Sequence, residues 1–154
     1  MNFYFDTEFF ENGKTIELIS IGIIAEDGDE FYTEVEGVKI TDPWLKENVG
    51  PYLTGSTMPY DKIGLKILDF VTSRTFKPVF WAYYADYDWV AFCQIYGRMI
   101  DLPCIYPMFC MDLKQELSNK SIENIPIENE QEHSALADAR WTKEVHEWLT
   151  SGKQ

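Results

Sequence analysis

Basic residues are scarce in this sequence of 154 residues. It contains 13 Lys and Arg residues against 26 Asp and Glu residues, which gives a formal net charge of −13 at pH 7. Proteins that bind nucleic acid without sequence preference do so largely by neutralising phosphates with Lys and Arg. The composition therefore argues against a protein that reads the grooves of duplex DNA.

Long apolar runs and paired cysteines are also missing. No apolar segment approaches the roughly 20 residues of a membrane-spanning helix, and the first ten residues, MNFYFDTEFF, lack the basic start and cleavage site of a signal peptide. Cys93, Cys104 and Cys110 form an odd set without a C-x-x-C pair, which argues against a disulfide framework or a zinc site. We expect a cytoplasmic protein that makes no contact with a membrane.

The sequence shows no repeat, low-complexity tract or linker, and its length fits a single domain over residues 1–154. Hydrophobic patterns predict strands at 2–9, 16–25, 30–35, 79–83 and 109–111, and helices at 44–48, 61–72, 87–96, 113–117 and 134–149. This order predicts an α/β fold with a mixed five-stranded sheet and helices on its faces.

The segment FYFDTEFF, residues 3–10, carries two carboxylates inside an aromatic run. In a strand, Asp6 and Glu8 project from the same side. A buried pair of like charges needs a cation, a shared proton or exposure to water. Alternatively, this could be an edge strand with Asn2, Tyr4, Asp6 and Glu8 facing solvent.

Two further acidic sites stand at other element boundaries. Asp86 and Asp88 lie where the fourth predicted strand gives way to a helix, and Asp138 lies in the last helix. Carboxylates that converge from three elements are suitable ligands for two Mg²⁺ ions, with Mn²⁺ as a substitute. Two such ions roughly 4 Å apart can activate a water molecule and stabilise the leaving oxygen in phosphodiester hydrolysis.

The segment HSALADAR, residues 133–140, adds a histidine where a loop meets the last helix. Imidazole, with an unperturbed pKa of roughly 6.5, suits a general base near neutral pH. The small residues Ala135 and Ala139 flank Asp138 and would let the helix approach the first strand closely. His133 could instead be a surface loop residue and Asp138 a solvated charge.

The motifs FDTE, AYYADYD and HSALADAR resemble, in order, the three motifs of the DEDDh, or DnaQ-like, 3′-to-5′ exonuclease superfamily, whose fold is ribonuclease-H-like. Over nearly the whole chain the sequence is more closely similar to the small bacterial and phage exoribonucleases related to polyadenylate-specific ribonuclease AS. The resemblance implies a metal-dependent exoribonuclease that removes nucleotides from the 3′ end of single-stranded RNA and releases 5′-mononucleotides. It also suggests a homodimer.

Carried over by position, the resemblance implies that Asp6, Glu8, Asp88 and Asp138 bind two metal ions and that His133 deprotonates the attacking water. The chain departs from the pattern of many superfamily members at Tyr83-Tyr84, where they have a His-Asn pair. Contacts to the terminal nucleotide therefore differ here.

Three residues are candidates for substrate binding. Phe9 could stack on the 3′-terminal base, although core packing is an alternative role. Glu17 could accept a hydrogen bond from a base amino group, or be a charge at a strand edge. Tyr84 occupies the position at which the family pattern changes.

The predicted roles of Asp86 and Asp88 differ. Two helical residues separated by two positions point about 200° apart, so both cannot serve one cation from the first turn. Asp86 has the residue type of an N-cap that would accept from the backbone N–H of Asp88 or Trp89. Asp88 would then stand in the first turn, facing the end of the first strand.

Other functions remain open at this stage. Nothing in the sequence separates a pocket that accepts a ribose 2′-hydroxyl from one that rejects it, so an exonuclease of single-stranded DNA is an alternative. A non-catalytic module of the same fold would bind a metal or a partner protein, but every position of the motifs is filled. An acidic mimic of nucleic acid would spread its charge over a surface, whereas several acids here stand at motif positions.

Overall fold

The computed structural model describes residues 1–152, so the last two residues of the predicted domain, 153–154, lie outside it. Residues 1–152 form a mixed α/β fold of the ribonuclease-H-like kind. The strands are β1 (Asn2–Glu11), β2 (Ile16–Ala25), β3 (Glu30–Val35), β4 (Thr57–Met58), β5 (Val79–Ala82) and β6 (Met111–Asp112). The helices are α1 (Pro43–Asn48), α2 (Tyr60–Thr72), α3 (Asp86–Tyr96), α4 (Leu113–Asn119) and α5 (Ala135–Thr150).

The sheet has the strand order β4-β3-β2-β1-β5-β6. The first three strands form an antiparallel meander, and the other pairs are parallel. The sequence-based prediction of five strands is therefore wrong by one. The missed strand, β4, is two residues long and lies in a segment rich in Pro and Gly, where no alternating pattern can develop.

β1 lies inside the sheet, between β2 and β5. The alternative of an edge strand is therefore wrong. Tyr4, which that alternative placed in water, is 2% exposed, and it packs beneath α5. Both faces of the strand are covered, so the acidic side chains of β1 need an explanation other than solvation.

β5 pairs with β1 only along Asn2–Tyr4. Beyond Tyr4, the side of β1 that faces β5 has no neighbouring strand. Its backbone groups there need other partners, because buried peptide groups are nearly always hydrogen-bonded. The chain leaves β5 at this point and returns as α3, so that this open edge becomes one wall of a cavity.

Hydrophobic clusters cover the two faces of the sheet. On one face, α2 and α3 pack through Ile67 and Phe92 against Phe3, Phe5 and neighbouring residues. On the other face, α4 and α5 pack around Tyr4 and Trp81. A smaller third cluster joins Leu45 and Val49, at α1, to Ile19 of β2. Among the described residues, no helix is long and apolar enough to cross a lipid bilayer.

Candidate active site

Three carboxylates meet where β1 passes under the N-terminal end of α5. Asp6, Glu8 and Asp138 each offer an oxygen atom, and these atoms lie within 4.8 Å of one another. Asp6 and Glu8 share one face of β1 because side chains two apart in a strand point the same way. Asp138 lies in the first turn of α5. We call these three residues the acidic cluster.

Close contact between α5 and β2 brings Asp138 to this place. Gly22 pairs with Asp6 across the sheet. A Cβ atom on Gly22 would lie 2.4 Å from the Cα atom of Leu136, a distance that real Cβ atoms essentially never show. Only glycine therefore allows the helix to lie this low on the sheet. Ala139 is fully buried next to Tyr4, in agreement with the predicted close approach of a small-residue helix face.

Asp88 lies beside the cluster and is held by β1 itself. Its Oδ1 atom accepts hydrogen bonds from the backbone N–H of Thr7 at 2.9 Å and from the Thr7 hydroxyl at 2.5 Å. The carboxylate thus accepts a hydrogen bond from a backbone N–H on the edge of β1 that β5 leaves unpaired. Asp88 is 7% exposed, so its position is fixed by burial as well as by hydrogen bonds.

Asp86 does not share this environment. It is exposed at the start of α3, and the N-cap position belongs to Ala85, with no side-chain capping bond. The prediction that Asp86 caps the helix is wrong: the helix begins at Asp86, one residue earlier than predicted. The two residues nevertheless differ in position, because Asp88 alone of the two faces β1.

A loop before α5 holds Asp138 in place. The Asn129 side-chain amide donates to Oδ1 of Asp138, and the backbone N–H of His133 donates to Oδ2 at 2.9 Å. His133 has a φ of 70°, in the left-handed region that residues other than glycine rarely adopt. The loop is therefore shaped around the Asp138 carboxylate.

Burial raises the pKa of each of these four carboxyl groups, and a neighbouring acid adds to the effect in every case. The pKa of Asp6 is well above its ordinary value, mainly through burial and then through Asp88. Burial, with Asp138 as the next cause, raises the pKa of Glu8 to about 8. Burial raises the pKa of Asp88 to about 6, although the hydrogen bonds from Thr7 oppose the rise. The pKa of Asp138 is also raised by burial, against the hydrogen bond from Asn129.

Two cavities meet at the acidic cluster, and Glu8 lines only the larger of them. The larger has a volume of about 460 Å³, and its walls include Asp88, Trp44 and Phe9. The smaller, of about 350 Å³, is lined by Tyr84 among others. Asp6, Asp138 and His133 line both cavities. The cluster therefore stands between two spaces that each open to solvent.

The structure brings most of the candidate residues to this region. His133 is partly buried beside Asp138, and Phe9 stacks on Tyr87 at 5.9 Å between ring centroids. Tyr84 is 62% exposed, with a φ of 56°. Glu17 is the exception: it is exposed and lines neither of the two cavities, although its pairing partner in β1, Phe10, lines the larger one.

Several residues of the site escaped the sequence analysis. Thr7 and Asn129 orient Asp88 and Asp138. Thr7 belongs to the FDTE motif, but nothing in the sequence indicates its hydrogen bonds to Asp88, and Asn129 belongs to no motif. Trp44, in α1, contacts the His133 ring, and both residues line the larger cavity. Gly22 did leave a signal, because an isolated glycine inside an apolar strand often marks the close approach of another backbone.

The donor set fits hard divalent cations. Its ligand atoms are carboxylate oxygens, which Mg²⁺ and Mn²⁺ prefer. The raised pKa values show that the folded protein bears a cost for ionising these groups together, and a bound cation would remove that cost. The arrangement can therefore bind divalent metal and present it to both cavities.

Comparisons with known proteins agree with this chemistry. A family model described as the 3′-5′ exoribonuclease Rv2179c-like domain matches residues 1–150. Two curated proteins of Mycobacterium tuberculosis are 36% identical to the chain over 148 residues: 3′-5′ exoribonuclease Rv2179c of strain H37Rv and 3′-5′ exoribonuclease MT2234.1 of strain CDC 1551. The alignment covers 91% of this chain and 88% of each relative.

Proposed function

The chain belongs to the Rv2179c-like 3′-5′ exoribonuclease domain family, and from this we propose that it is a metal-dependent hydrolase that shortens single-stranded RNA from its 3′ end and releases 5′-mononucleotides. The observation that carries the proposal is the acidic cluster, whose three ligand atoms lie within 4.8 Å of one another beside Asp88. We place the protein in the DEDDh group of 3′-to-5′ exonucleases on the basis of these residues and His133.

In this proposal the four carboxylates hold two divalent cations, Mg²⁺ in the cell and Mn²⁺ as a substitute. Asp6, Glu8 and Asp138 would supply the three oxygens that lie within 4.8 Å of one another, and Asp88 would complete the set from the open edge of β1. Bound there, the cations would polarise the scissile phosphate and lower the pKa of the attacking water. Thr7 and Asn129 keep two of the carboxylates oriented.

His133 acts as the general base. The backbone N–H of His133 donates a hydrogen bond to Asp138, so the residue lies next to the cluster and lines both cavities. A side chain at hydrogen-bonding distance from the attacking water can take its proton as the phosphorus–oxygen bond forms. The leaving 3′-oxygen of the shortened chain takes up a proton from solvent.

The two cavities define a path for the RNA chain. In the proposed complex the scissile phosphate lies on the acidic cluster, where Asp6 and Asp138 line both cavities, so the nucleotides on its two sides fall into different cavities. We assign the 3′-terminal nucleotide to the larger cavity, where the exposed face of Phe9 is a stacking surface. Tyr84 then contacts the preceding nucleotide from the smaller cavity. Glu17, outside both, has no role in this path.

Binding of only the 3′ end of an RNA chain is consistent with the net charge of −13, because such binding contacts only a few phosphates.

We keep a cytoplasmic location as a proposal, supported by three cysteines without a disulfide, two of them exposed or partly exposed. A homodimer, as in the resemblance from sequence, also stays a proposal.

The test uses RNA and DNA oligomers of matched sequence, labelled at the 5′ end, with Mg²⁺, Mn²⁺ or EDTA. We expect a ladder of RNA products that shorten one nucleotide at a time, 5′-mononucleotides as the released product, and no reaction in EDTA. A 3′-terminal phosphate should block the reaction, because the site receives a free end. Faster degradation of DNA would transfer the proposal to single-stranded DNA, and cleavage of circular RNA would contradict it.

A further inference from the structure

The His133 side chain needs an anchor that its own loop does not supply. The residue lies in a turn with a φ of 70°, and its backbone N–H is bonded to Asp138. Within residues 1–152, however, the imidazole nitrogens make no hydrogen bond. The ring of a turn residue held only through its backbone would sample several rotamers. Its orientation therefore depends on packing against other elements.

Trp44 provides that packing from a distant part of the chain. The Trp44 and His133 ring centroids are 4.9 Å apart with an interplanar angle of 76°. This edge-to-face geometry is one of the preferred arrangements of aromatic pairs. The two rings form part of the same wall of the larger cavity, although they come from distant parts of the chain.

The position of Trp44 is itself fixed. Its neighbour Leu45 is 8% exposed and packs with Val49 and Ile19 in the third hydrophobic cluster. The Asp42 side chain caps the helix by accepting from the backbone N–H of Leu45 at 3.0 Å. α1 is thereby seated on the sheet, while the Trp44 indole remains 52% exposed at the cavity wall.

We propose that Trp44 is a positioning residue whose indole holds the His133 imidazole in the orientation required to take a proton from the attacking water. The inference rests on the proposed function, in which His133 is the general base. Proton transfer needs the acceptor nitrogen within hydrogen-bonding reach and correctly aligned, so a ring confined by Trp44 reacts more often than a free one. Trp44 acts through His133 and takes no proton itself.

The competing role for an exposed tryptophan in such a cavity is stacking on a nucleobase. The two roles predict different kinetics. A positioning residue affects kcat through the histidine, whereas a stacking residue affects KM whether or not the histidine is present. A double-mutant cycle of Trp44→Ala with His133→Ala separates them.

We expect Trp44→Ala to lower kcat by on the order of 10-fold with KM nearly unchanged, against 10²-fold or more for His133→Ala. In the His133→Ala protein, adding Trp44→Ala should have no further effect. Trp44→Phe should restore most of kcat, since it keeps an aromatic ring at the contact. Phe76→Ala, at a 71% exposed aromatic outside both cavities, is the matched control and should behave as wild type. An unchanged kcat in Trp44→Ala, or a raised KM that persists without His133, overturns the proposal.

The contact between Trp44 and His133 can also be measured by NMR without substrate. The chain has 2 histidines, so the imidazole C–H resonances of His133 can be assigned by comparison with His133→Ala. The ring current of Trp44 should shift these resonances in the wild type, and Trp44→Ala should abolish that shift while Phe76→Ala leaves it. Resonances that do not respond to Trp44→Ala would overturn the contact.

Failures of the two proposals give different results. If the wild-type protein hydrolyses no RNA, the proposed function fails, and the role of Trp44 in it fails too, whatever the resonances show. If the wild type is active and His133→Ala is impaired but the cycle shows additive effects, the proposed function stands and only the positioning role is wrong.

Discussion

The backbone of Leu136 in α5 lies directly over Gly22 in β2, with no room for a side chain between them. A Cβ atom on Gly22 would come within 2.4 Å of the Leu136 Cα and N atoms. Gly22 is also the cross-strand partner of Asp6, and Leu136 lies one half-turn of helix before Asp138. The distance between two elements of the acidic cluster thus depends on the absence of one methyl group.

Gly22→Ala should therefore weaken the fold and the site together. Because the clash is with backbone, α5 must move, and we expect the free energy of unfolding to fall by about 1 to 3 kcal/mol. The displacement of Asp138 should also reduce the stabilisation by Mg²⁺, measured as the shift in Tm. Gly50→Ala is the control, since the nearest atom to its added Cβ would be at an ordinary 3.7 Å. Equal behaviour of the two variants would contradict this explanation.

Asp88→Asn and Asp86→Asn should separate function from surface charge. Asp88 is buried against Thr7 and lines the larger cavity, so the amide variant should lose nearly all hydrolysis even with saturating Mn²⁺. Asp86 is exposed and makes no capping bond, so Asp86→Asn should change stability by less than about 0.5 kcal/mol and keep its activity. Both are assayed at matched folded fraction, and an inactive Asp86→Asn beside an active Asp88→Asn would show that we have chosen the wrong aspartate.

The Thr7 hydroxyl should contribute to the site through Asp88. Thr7→Val removes one of the two hydrogen bonds to Oδ1 and leaves the backbone N–H, so we expect a loss of about 1 to 2 kcal/mol in stability and a lower kcat. Thr7→Ser keeps a hydroxyl at the same place and should retain most of both. If Thr7→Ser is as impaired as Thr7→Val, the hydrogen bond is not the cause.

In EDTA, the stability of the protein should depend on the Glu8 carboxyl. Its pKa rises from an ordinary 4.5 to about 8 in the folded protein, so the folded state holds the proton more tightly than the unfolded state. This contribution to stability is complete below pH 4.5 and is lost as the pH rises through 8. His146, whose pKa burial lowers, acts in the opposite direction as the pH falls.

A comparison with Glu8→Gln tests the Glu8 contribution, including its effect on Asp6, because the variant keeps His146 and the other carboxyl groups. Urea denaturation in EDTA from pH 5 to 8 should show the wild type losing stability relative to Glu8→Gln as the pH rises. Excess Mg²⁺ should reverse the trend, since the ionised carboxylates then bind the cation. A constant difference between the two proteins across this range would argue against a raised Glu8 pKa.

The long elements could be predicted from sequence because their patterns are strong. The alternating residues of β1, the apolar run of β2 and the apolar face of α2 indicate the order of the fold. The D-x-E pattern on a strand indicates that Asp6 and Glu8 face one point. By contrast, β4 has two residues and gains its place from the neighbouring Glu34, which pairs with Thr57 and accepts from the Thr54 and Gly55 amides. No local pattern encodes such a contact.

The site was predictable at the residues that carry charge and not at those that orient them. Helix geometry distinguishes Asp88 from Asp86, although α3 begins at Asp86, one residue earlier than predicted, and Asp86 therefore does not occupy the N-cap position. Thr7, Asn129 and Trp44 act through contacts between distant segments, which appear only once β5 stops pairing at Tyr4 and α1 is seated on Ile19. Glu17 is a candidate by residue type alone, and in the structure it lines neither of the two cavities at the acidic cluster.

The most direct test of the account is an anomalous difference map from crystals of the protein grown with Mn²⁺ and a 5′-mononucleotide. The account predicts two Mn²⁺ peaks roughly 4 Å apart, coordinated by Asp6, Glu8, Asp88 and Asp138, with the nucleotide phosphate between them and its base in the larger cavity. A single peak, or none, on these four carboxylates at saturating Mn²⁺ would contradict it.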